Sequence, residues 1–164
     1  MKQLFRCEYC TEVVFRSILM EYLFRGQAIN RDENYAYRTS YKIGDWVYGL
    51  VSRLDKKYGF AEMTNENGVS GIDVDPNTIA PYIGIDDKNG TKIFKDDIVK
   101  VHVETYTSMH DTIGVIDYWS GAFGVSYGNG KHFLAFNEMS MYCRWVEVIG
   151  NKFDNPELLE EVSK

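Results

Sequence analysis

The chain has 164 residues, which is enough for one domain or two small subdomains. Hydrophobic residues make up 45% and charged residues 26% of the chain, and this balance excludes disorder as the main state because enough apolar side chain is present to form a core. The net charge of −6 at pH 7 and the aromatic content of 15% favour an acidic β-sheet protein over a nucleic-acid-binding one, since nucleic-acid affinity comes mainly from Lys and Arg.

Charge is distributed unevenly along the chain. Residues 1–57 hold 10 Lys and Arg against 7 Asp and Glu, a net charge of +3, whereas the remaining residues hold 8 against 17, a net charge of −9. Such an asymmetry can mark a polarised surface that pairs with a copy of itself, and together with the abundant aromatic residues it leads us to expect a homo-oligomer. The alternative is an accidental imbalance between solvated faces.

The three cysteines do not form a metal or disulfide pattern. Cys7 and Cys10 are half of a structural zinc site, but no second pair completes it, and Cys143 leaves an odd total. We therefore expect free thiols in a reducing cytoplasm, with no metal and no cofactor. No apolar run approaches the ~20 residues of a membrane span, so no membrane association is expected either.

The first predicted element is a helix over residues 11–24. Its apolar residues recur at helical spacing, and a strand over residues 22–25 is the alternative. We assign residues 1–23 to a helical N-terminal extension and residues 24–164 to a β domain, with 24–80 and 81–164 as candidate subdomains. The polar residues 26–44 predict a loop.

Strands dominate the rest of the chain. Alternating apolar residues predict strands at 45–51 and 58–63, and Asn-Gly pairs at residues 67, 89 and 129 predict type I′ hairpin turns. In the strand predicted at 98–104, Val99, Val101 and Val103 share one face, which we expect to be buried. The other predicted strands are 83–85, 92–94, 112–118, 122–127, 132–136 and 143–149.

The chain is predicted to end in a short helix. Asn155 is the expected N-cap, and Pro156 follows at the first helical position, where proline costs no hydrogen bond. The predicted fold is therefore mainly β (α+β), with antiparallel hairpins forming small barrel-like units between an N-terminal helix and a short C-terminal helix.

No residue pattern predicts a catalytic centre, and we expect the protein not to be an enzyme. The acids Asp96, Asp97, Asp111 and Asp117 are the basis of one alternative, a metal-dependent phosphodiester hydrolase, because two or three converging carboxylates can hold a pair of ions. Their spacing does not predict convergence, and solvated strand ends account for them.

A binding surface is the second kind of site that the residues suggest. Trp46, Tyr48 and Trp119 are candidates for an aromatic stacking platform, as in small barrels that bind single strands or peptides. Arg53, Lys56 and Lys57 lie near the first predicted hairpin and would add positive charge. A nucleic-acid-binding small-barrel protein is therefore a further alternative.

The segment GIDDKNGTKIFKDDIVKV, from Gly84 to Val101, resembles the YopX family of phage and prophage proteins. Shorter matching blocks extend the resemblance from about Phe24 to Leu159, and residues before Met20 have no counterpart. The resemblance implies a mostly β protein with barrel-like parts and short helices, a phage or prophage origin, and no established activity. We expect a non-enzymatic accessory protein in the cytoplasm of a bacterial host that self-associates and binds an unknown phage or host macromolecule.

Overall fold

The structure is a computed structural model, and it describes residues 22–29, 40–55, 57, 59–104, 109–128, 130–136 and 143–160. Most of these residues lie in strands, which confirms a mainly β fold. The strands are β1 (Phe24–Gln27), β2 (Trp46–Asp55), β3 (Phe60–Asn65), β4 (Ile72–Val74), β5 (Ala80–Asp86), β6 (Lys92–Phe94), β7 (Asp97–Glu104), β8 (Met109–Trp119), β9 (Ala122–Tyr127), β10 (His132–Ala135) and β11 (Cys143–Asn151). A 3-10 helix spans Pro76–Thr78, and α1 spans Glu157–Glu160.

The strands form two antiparallel sheets. The first has the order β4-β3-β2-β1-β5-β6 and the second the order β10-β9-β8-β7-β11. Within the described residues neither sheet closes into a barrel, so the prediction of barrel-like units is wrong in that form. The physical reason is that β1 is already paired with β2 on one side and with β5 on the other. Among the described residues, β4 reaches the end of β1 only through an isolated bridge between Ala28 and Val74, and one bridge does not close the sheet.

Each sheet has its own apolar core. The alternation predicted for β7 is confirmed, because Val99, Val101 and Val103 are buried while Lys100 and His102 between them are partly exposed. The core of the first sheet contains Ala28, Val47, Ala61, Met63, Ile72 and Val74. The core of the second contains Ile93, Val99, Val101, Val103, Ile116 and Val125. Ile83 of β5 and Ile93 of β6 belong to the first sheet by hydrogen bonding but pack in the second core, so these two strands join the halves.

Strand β1 lies where the sequence predicted the end of a helix and the start of a loop. Residues 1–21 of the predicted N-terminal extension lie outside the described residues, and Phe24 is in a strand, as in the alternative over residues 22–25. Arg25 and Gly26 are both buried although successive residues of a strand face opposite sides of the sheet. A strand buried on both faces shows no polar alternation, which is why the sequence pattern offered this strand only as an alternative to the helix.

The hairpin turns differ from the predicted type. Asn67 and Asn89 keep negative φ, and only the following Gly68 (φ 80°) and Gly90 (φ 81°) enter the left-handed region. The type I′ prediction is therefore wrong at these two turns, and it stays a prediction at the third, because Asn129 lies outside the described residues. Two consecutive positive φ values occur instead at Ser120 (51°) and Gly121 (87°), between β8 and β9, as a type I′ turn requires.

The predicted C-terminal helix is present as the single turn α1. It follows Pro156 as expected, and the side-chain oxygen of Asn155 accepts a hydrogen bond from the backbone N–H of Asn151 at 3.4 Å. This contact ties the start of the helix back to the end of β11.

Candidate functional site

The acidic segment before β6 is a turn that attaches to the edge of β11. Oδ1 of Asp87 accepts hydrogen bonds from the backbone N–H groups of Asn89 (2.7 Å) and Thr91 (2.9 Å), and Oδ2 accepts one from Val148 (3.0 Å). Burial alone would raise the pKa of Asp87, but these three backbone hydrogen bonds outweigh it and the pKa is lowered. Asp87 therefore joins the first sheet to the second.

A second link between the sheets is a buried ion pair. Arg25 of β1 places Nη2 2.5 Å from Oδ1 of Asp97 of β7, and the exposed fraction of Asp97 is only 1%. Oδ2 of Asp97 accepts a hydrogen bond from the backbone N–H of Phe94 at 2.7 Å. Burial raises the pKa of Asp97 because it outweighs the opposing charge of Arg25.

The guanidinium group of Arg25 also lies between two aromatic rings. Its central carbon is 4.7 Å from the ring centroid of Trp46 and 4.9 Å from that of Phe94, within the range of cation–π attraction. The Nε atom of Arg25 has no hydrogen-bond acceptor among the described residues. The cation is therefore held by Asp97 and two ring faces, and it is closed off from solvent.

Trp46 is fixed by the segment that follows β11. Its Nε1 donates a hydrogen bond to Oδ2 of Asp154 at 2.7 Å, and the same carboxylate accepts from Gln27 (2.9 Å) and Asn151 (2.8 Å). The ring of Phe153 packs against the Trp46 ring with centroids 5.9 Å apart. Trp46, a predicted stacking residue, is therefore held in place by Asp154 and Phe153.

A cleft of about 460 Å³ opens beside the ion pair, between the two sheets. This volume lies within the range of small-molecule and side-chain binding pockets. Its walls include Leu23, Tyr48, Phe94 and Val148, and both Lys92 and Glu66 contribute charge beside the buried ion pair. Tyr48, a predicted binding residue, is 39% exposed and packs on Phe94 with ring centroids 5.6 Å apart. Burial also raises the pKa of Tyr48.

The other predicted binding residues do not gather around this cleft. Arg53 pairs with Asp55 (2.8 Å) and Glu62 (3.4 Å), so its charge is partly neutralised within the first hairpin. The backbone N–H of Lys57 donates to Asp55, and Lys56 lies outside the described residues. Trp119 lies on the second sheet, at the tip of the β8–β9 hairpin, where it is 67% exposed.

The four acids considered as metal ligands each lie beside a cation, and Asp96 and Asp117 share Lys95. Asp96 accepts hydrogen bonds from Lys95 (2.8 Å) and Lys152 (2.7 Å), and Asp97 pairs with Arg25. Across the part of the chain that the structure describes, no group of three or more His, Cys, Asp and Glu side chains is arranged to hold a metal ion. Asp111 pairs with Lys100 (2.8 Å), and Asp117 lies 3.8 Å from Lys95.

The outer face of the second sheet carries a polar network that the sequence analysis did not identify. The His102 ring stacks on Trp145 with centroids 5.7 Å apart, and Nδ1 of His102 lies 2.7 Å from Oδ1 of Asp111. Hydrogen bonds from Lys100 and His102 lower the pKa of Asp111. Lys88 Nζ lies 4.1 Å from the Trp145 ring. The polar positions alternating with the valines of β7 were the available signal.

Comparison with known proteins assigns the chain to a family. Among the described residues, no helix is long and apolar enough to cross a membrane. No curated protein matches the sequence. The family model described as YopX protein matches residues 27–160, which include the turn at Asp87, the ion pair partner Asp97 and the cleft-lining strand β6. The chain therefore belongs to the YopX protein family.

Proposed function

We propose that this protein is a non-enzymatic interaction module that self-associates. The observation that carries the proposal is the exposure of large apolar side chains at adjacent positions. Tyr118 and Trp119 are exposed side by side at a hairpin tip, and Leu50 (53%) lies two residues after the half-exposed Tyr48, on the same face of β2. Tyr and Trp are enriched in the centres of protein interfaces, where they contribute much of the binding energy.

The way the acids are used supports a non-enzymatic role. Asp87 accepts backbone hydrogen bonds, Asp97 neutralises Arg25, and Asp154 holds Trp46, so each of these carboxylates has a structural partner. A hydrolase needs carboxylates that converge on metal ions or on a reacting group. The acids named above connect one sheet to the other instead.

The cations favour a protein partner over a nucleic acid. Lys88, Lys100 and Lys152 each lie within 2.8 Å of a carboxylate oxygen, and Arg53 pairs with two acids. Nucleic-acid binding depends on cations that can exchange counterions for phosphate. Paired cations on an acidic chain supply little of that attraction.

We further propose that the module is an accessory protein of a phage or prophage and acts in the cytoplasm of the bacterial host. The support for this part is the resemblance of the segment 84–101 to phage and prophage proteins. Its partner beyond a second copy is a phage or host protein.

Size-exclusion chromatography with light scattering tests self-association. We expect the mass of the wild-type protein to rise with concentration, and we expect Leu50→Lys to weaken this rise because it places a charge in the exposed apolar pair. Ile43→Lys is the control, since Ile43 is also apolar and exposed but lies before β2. A monomeric wild-type protein at every concentration would refute self-association. Cleavage of DNA or RNA in the presence of Mg²⁺ or Mn²⁺ would refute the non-enzymatic role.

A further inference from the structure

We propose that Asn67 is a site of spontaneous deamidation in the folded protein, and that Asn89, in a turn of the same geometry, is protected because its turn is bonded to β11. The two residues belong to the pairs Asn67-Gly68 and Asn89-Gly90, which lie between β3 and β4 and between β5 and β6. This modification does not depend on self-association.

The reaction needs only water. The backbone nitrogen of Gly68 bonds to Cγ of Asn67, its proton passes through solvent to the side-chain nitrogen, and that nitrogen leaves as ammonia. A water molecule then opens the cyclic succinimide at either carbonyl group, which yields aspartate or isoaspartate in place of Asn67. Glycine favours the attack because it has no Cβ to obstruct its backbone nitrogen. Asn67 and Gly68 are both exposed to solvent.

The turn at Asn67 is closed by hydrogen bonds to Asn65. The side-chain oxygen of Asn65 accepts from the backbone N–H groups of Asn67 (3.0 Å) and Val69 (2.9 Å). The backbone N–H of Gly68 donates to the backbone oxygen of Asn65 at 2.9 Å. The nitrogen of Gly68 is therefore engaged, and the turn must open locally before that nitrogen can attack Asn67.

The turn at Asn89 repeats these hydrogen bonds. Oδ1 of Asp87 accepts from the backbone N–H groups of Asn89 (2.7 Å) and Thr91 (2.9 Å), and Gly90 donates to the backbone oxygen of Asp87 at 3.0 Å. The φ angle of Gly90 is 81°, against 80° for Gly68. The two Asn-Gly pairs therefore have the same chemistry and the same local geometry.

The two turns differ in their attachment to the rest of the fold. Oδ2 of Asp87 accepts a hydrogen bond from Val148 of β11 at 3.0 Å, and the backbone N–H of Lys88 donates to the same strand at 2.9 Å. The carboxylate of Glu147 in β11 lies 2.7 Å from Nζ of Lys88 and accepts from the side-chain amide of Asn89 at 3.5 Å. Opening this turn disturbs contacts with the second sheet as well as the turn itself.

The turn at Asn67 has a weaker attachment. The residue equivalent to Asp87 is Asn65, and its amide nitrogen donates to the hydroxyl group of Tyr41 at 3.2 Å. Among the described residues, the side chain of Asn67 makes no hydrogen bond. This turn can open without disturbing the junction between the sheets, so its local opening should cost less free energy.

The modification would change the charge at the wall of the cleft. Glu66, the neighbour of Asn67, lines the cleft together with Tyr48. A carboxylate at position 67 adds a second negative charge beside Glu66. Tyr48 belongs to the surface that the proposed function assigns to self-association, and like charges on two copies oppose their contact.

The first experiment follows conversion at both pairs in the folded, full-length chain. The protein is incubated at mildly alkaline pH, digested at acidic pH, where cyclisation is slow, and analysed by mass spectrometry with fragment ions that assign the position. We expect Asn67 to convert faster than Asn89 by roughly fivefold or more, the factor that corresponds to about 1 kcal/mol, the contribution of one hydrogen bond. The chain unfolded in urea is the control, because both pairs should convert at similar rates there.

Three results of this experiment would overturn the proposal. They are equal rates at the two pairs in the folded chain, faster conversion at Asn89, and no conversion at Asn67 under conditions in which the unfolded chain converts.

The second experiment removes the attachment to β11. Asp87→Asn gives the second turn the same first residue as the turn at Asn67: an oxygen remains for the turn itself, but the amide nitrogen cannot accept from Val148. We expect conversion at Asn89 to accelerate toward the rate at Asn67, which serves as the internal standard. Asp86→Asn is the matched control, because Asp86 accepts from the hydroxyl group of Tyr82 at 2.8 Å.

A second variant keeps the test independent of the stability of Asp87→Asn. Glu147→Gln removes the charge opposite Lys88 and weakens the contact with Asn89 at the protein surface, so conversion at Asn89 should again rise, to a smaller extent. Far-ultraviolet circular dichroism verifies that each variant is folded. An unchanged rate at Asn89 in the folded variants would overturn the protection by β11.

Discussion

The most direct test of how the two sheets are joined is the replacement Asp97→Asn. The asparagine side chain keeps one oxygen that can accept the backbone hydrogen bond of Phe94, and its NH2 group then replaces the negative oxygen opposite Arg25, so the guanidinium group loses its countercharge and faces a second donor. Removing one partner of a buried ion pair costs about 3–5 kcal/mol, because the other charge is left uncompensated. Trp46 and Phe94 still contact the guanidinium group, so we expect the lower part of this range.

Urea denaturation followed by tryptophan fluorescence measures this loss, since Trp46 lies against Arg25 and reports on the junction. For a denaturant slope of about 2 kcal/mol per molar, a loss of about 3 kcal/mol lowers the midpoint by roughly 1.5 M urea. Asp111→Asn is the control, because Asp111 is paired with Lys100 at the exposed surface, and we expect a much smaller change.

A double-mutant cycle with Arg25→Met separates the pairing from other effects. The double variant Arg25→Met/Asp97→Asn leaves no buried charge at the junction, so its loss of stability should fall below the sum of the single losses by about 2 kcal/mol or more. A loss below about 1 kcal/mol for Asp97→Asn, or additive losses in the cycle, would refute the view that this ion pair joins the sheets.

Three single residues carry the remaining predictions. The folded state lowers the pKa of Asp87, so the stabilisation by its carboxylate is present above the unfolded pKa and is lost as the pH falls below it. In urea titrations, the loss of stability caused by Asp87→Asn should therefore persist at neutral pH and shrink as the pH falls through about 4. A loss of stability that does not depend on pH would contradict this assignment. Ser120→Asn should raise the free energy of unfolding by up to about 1 kcal/mol, because Asn adopts positive φ more readily than Ser, and a lower melting temperature would argue against the type I′ turn. Trp46→Phe should cost about 1–3 kcal/mol, because it leaves Asp154 without one donor, and proteolysis should then remove the C-terminal segment faster; unchanged proteolysis would show that Trp46 does not hold it.

The sequence predicted the strands whose two faces differ. The alternation in β7 placed Val99, Val101 and Val103 in the core, because a strand with one buried face must alternate. Strand β1 has both faces buried, and it was predicted only in part, as the alternative to a helix over residues 22–25. The type I′ turn at Ser120–Gly121 was missed because Asn-Gly is a preference and not a requirement of that turn.

The candidate site was harder to predict because its contacts join distant parts of the chain. Trp46 was expected to serve a binding surface, but its partner Asp154 is 108 residues away, and the acid at position 87 meets a strand edge 61 residues further on. Local spacing carries no information about contacts between distant residues. The acids therefore suggested a metal site, whereas in the structure they contact other partners. Trp46, Tyr48 and Trp119 as binding residues, with Arg53, Lys56 and Lys57, stay predictions.

Sedimentation equilibrium of the wild-type chain over a wide concentration range tests the central claim, that apolar side chains left exposed on this fold bring two copies together. We predict an average mass that rises from one chain toward two as concentration increases, with little dependence on salt because apolar contacts dominate. A mass that stays at one chain throughout would contradict this claim.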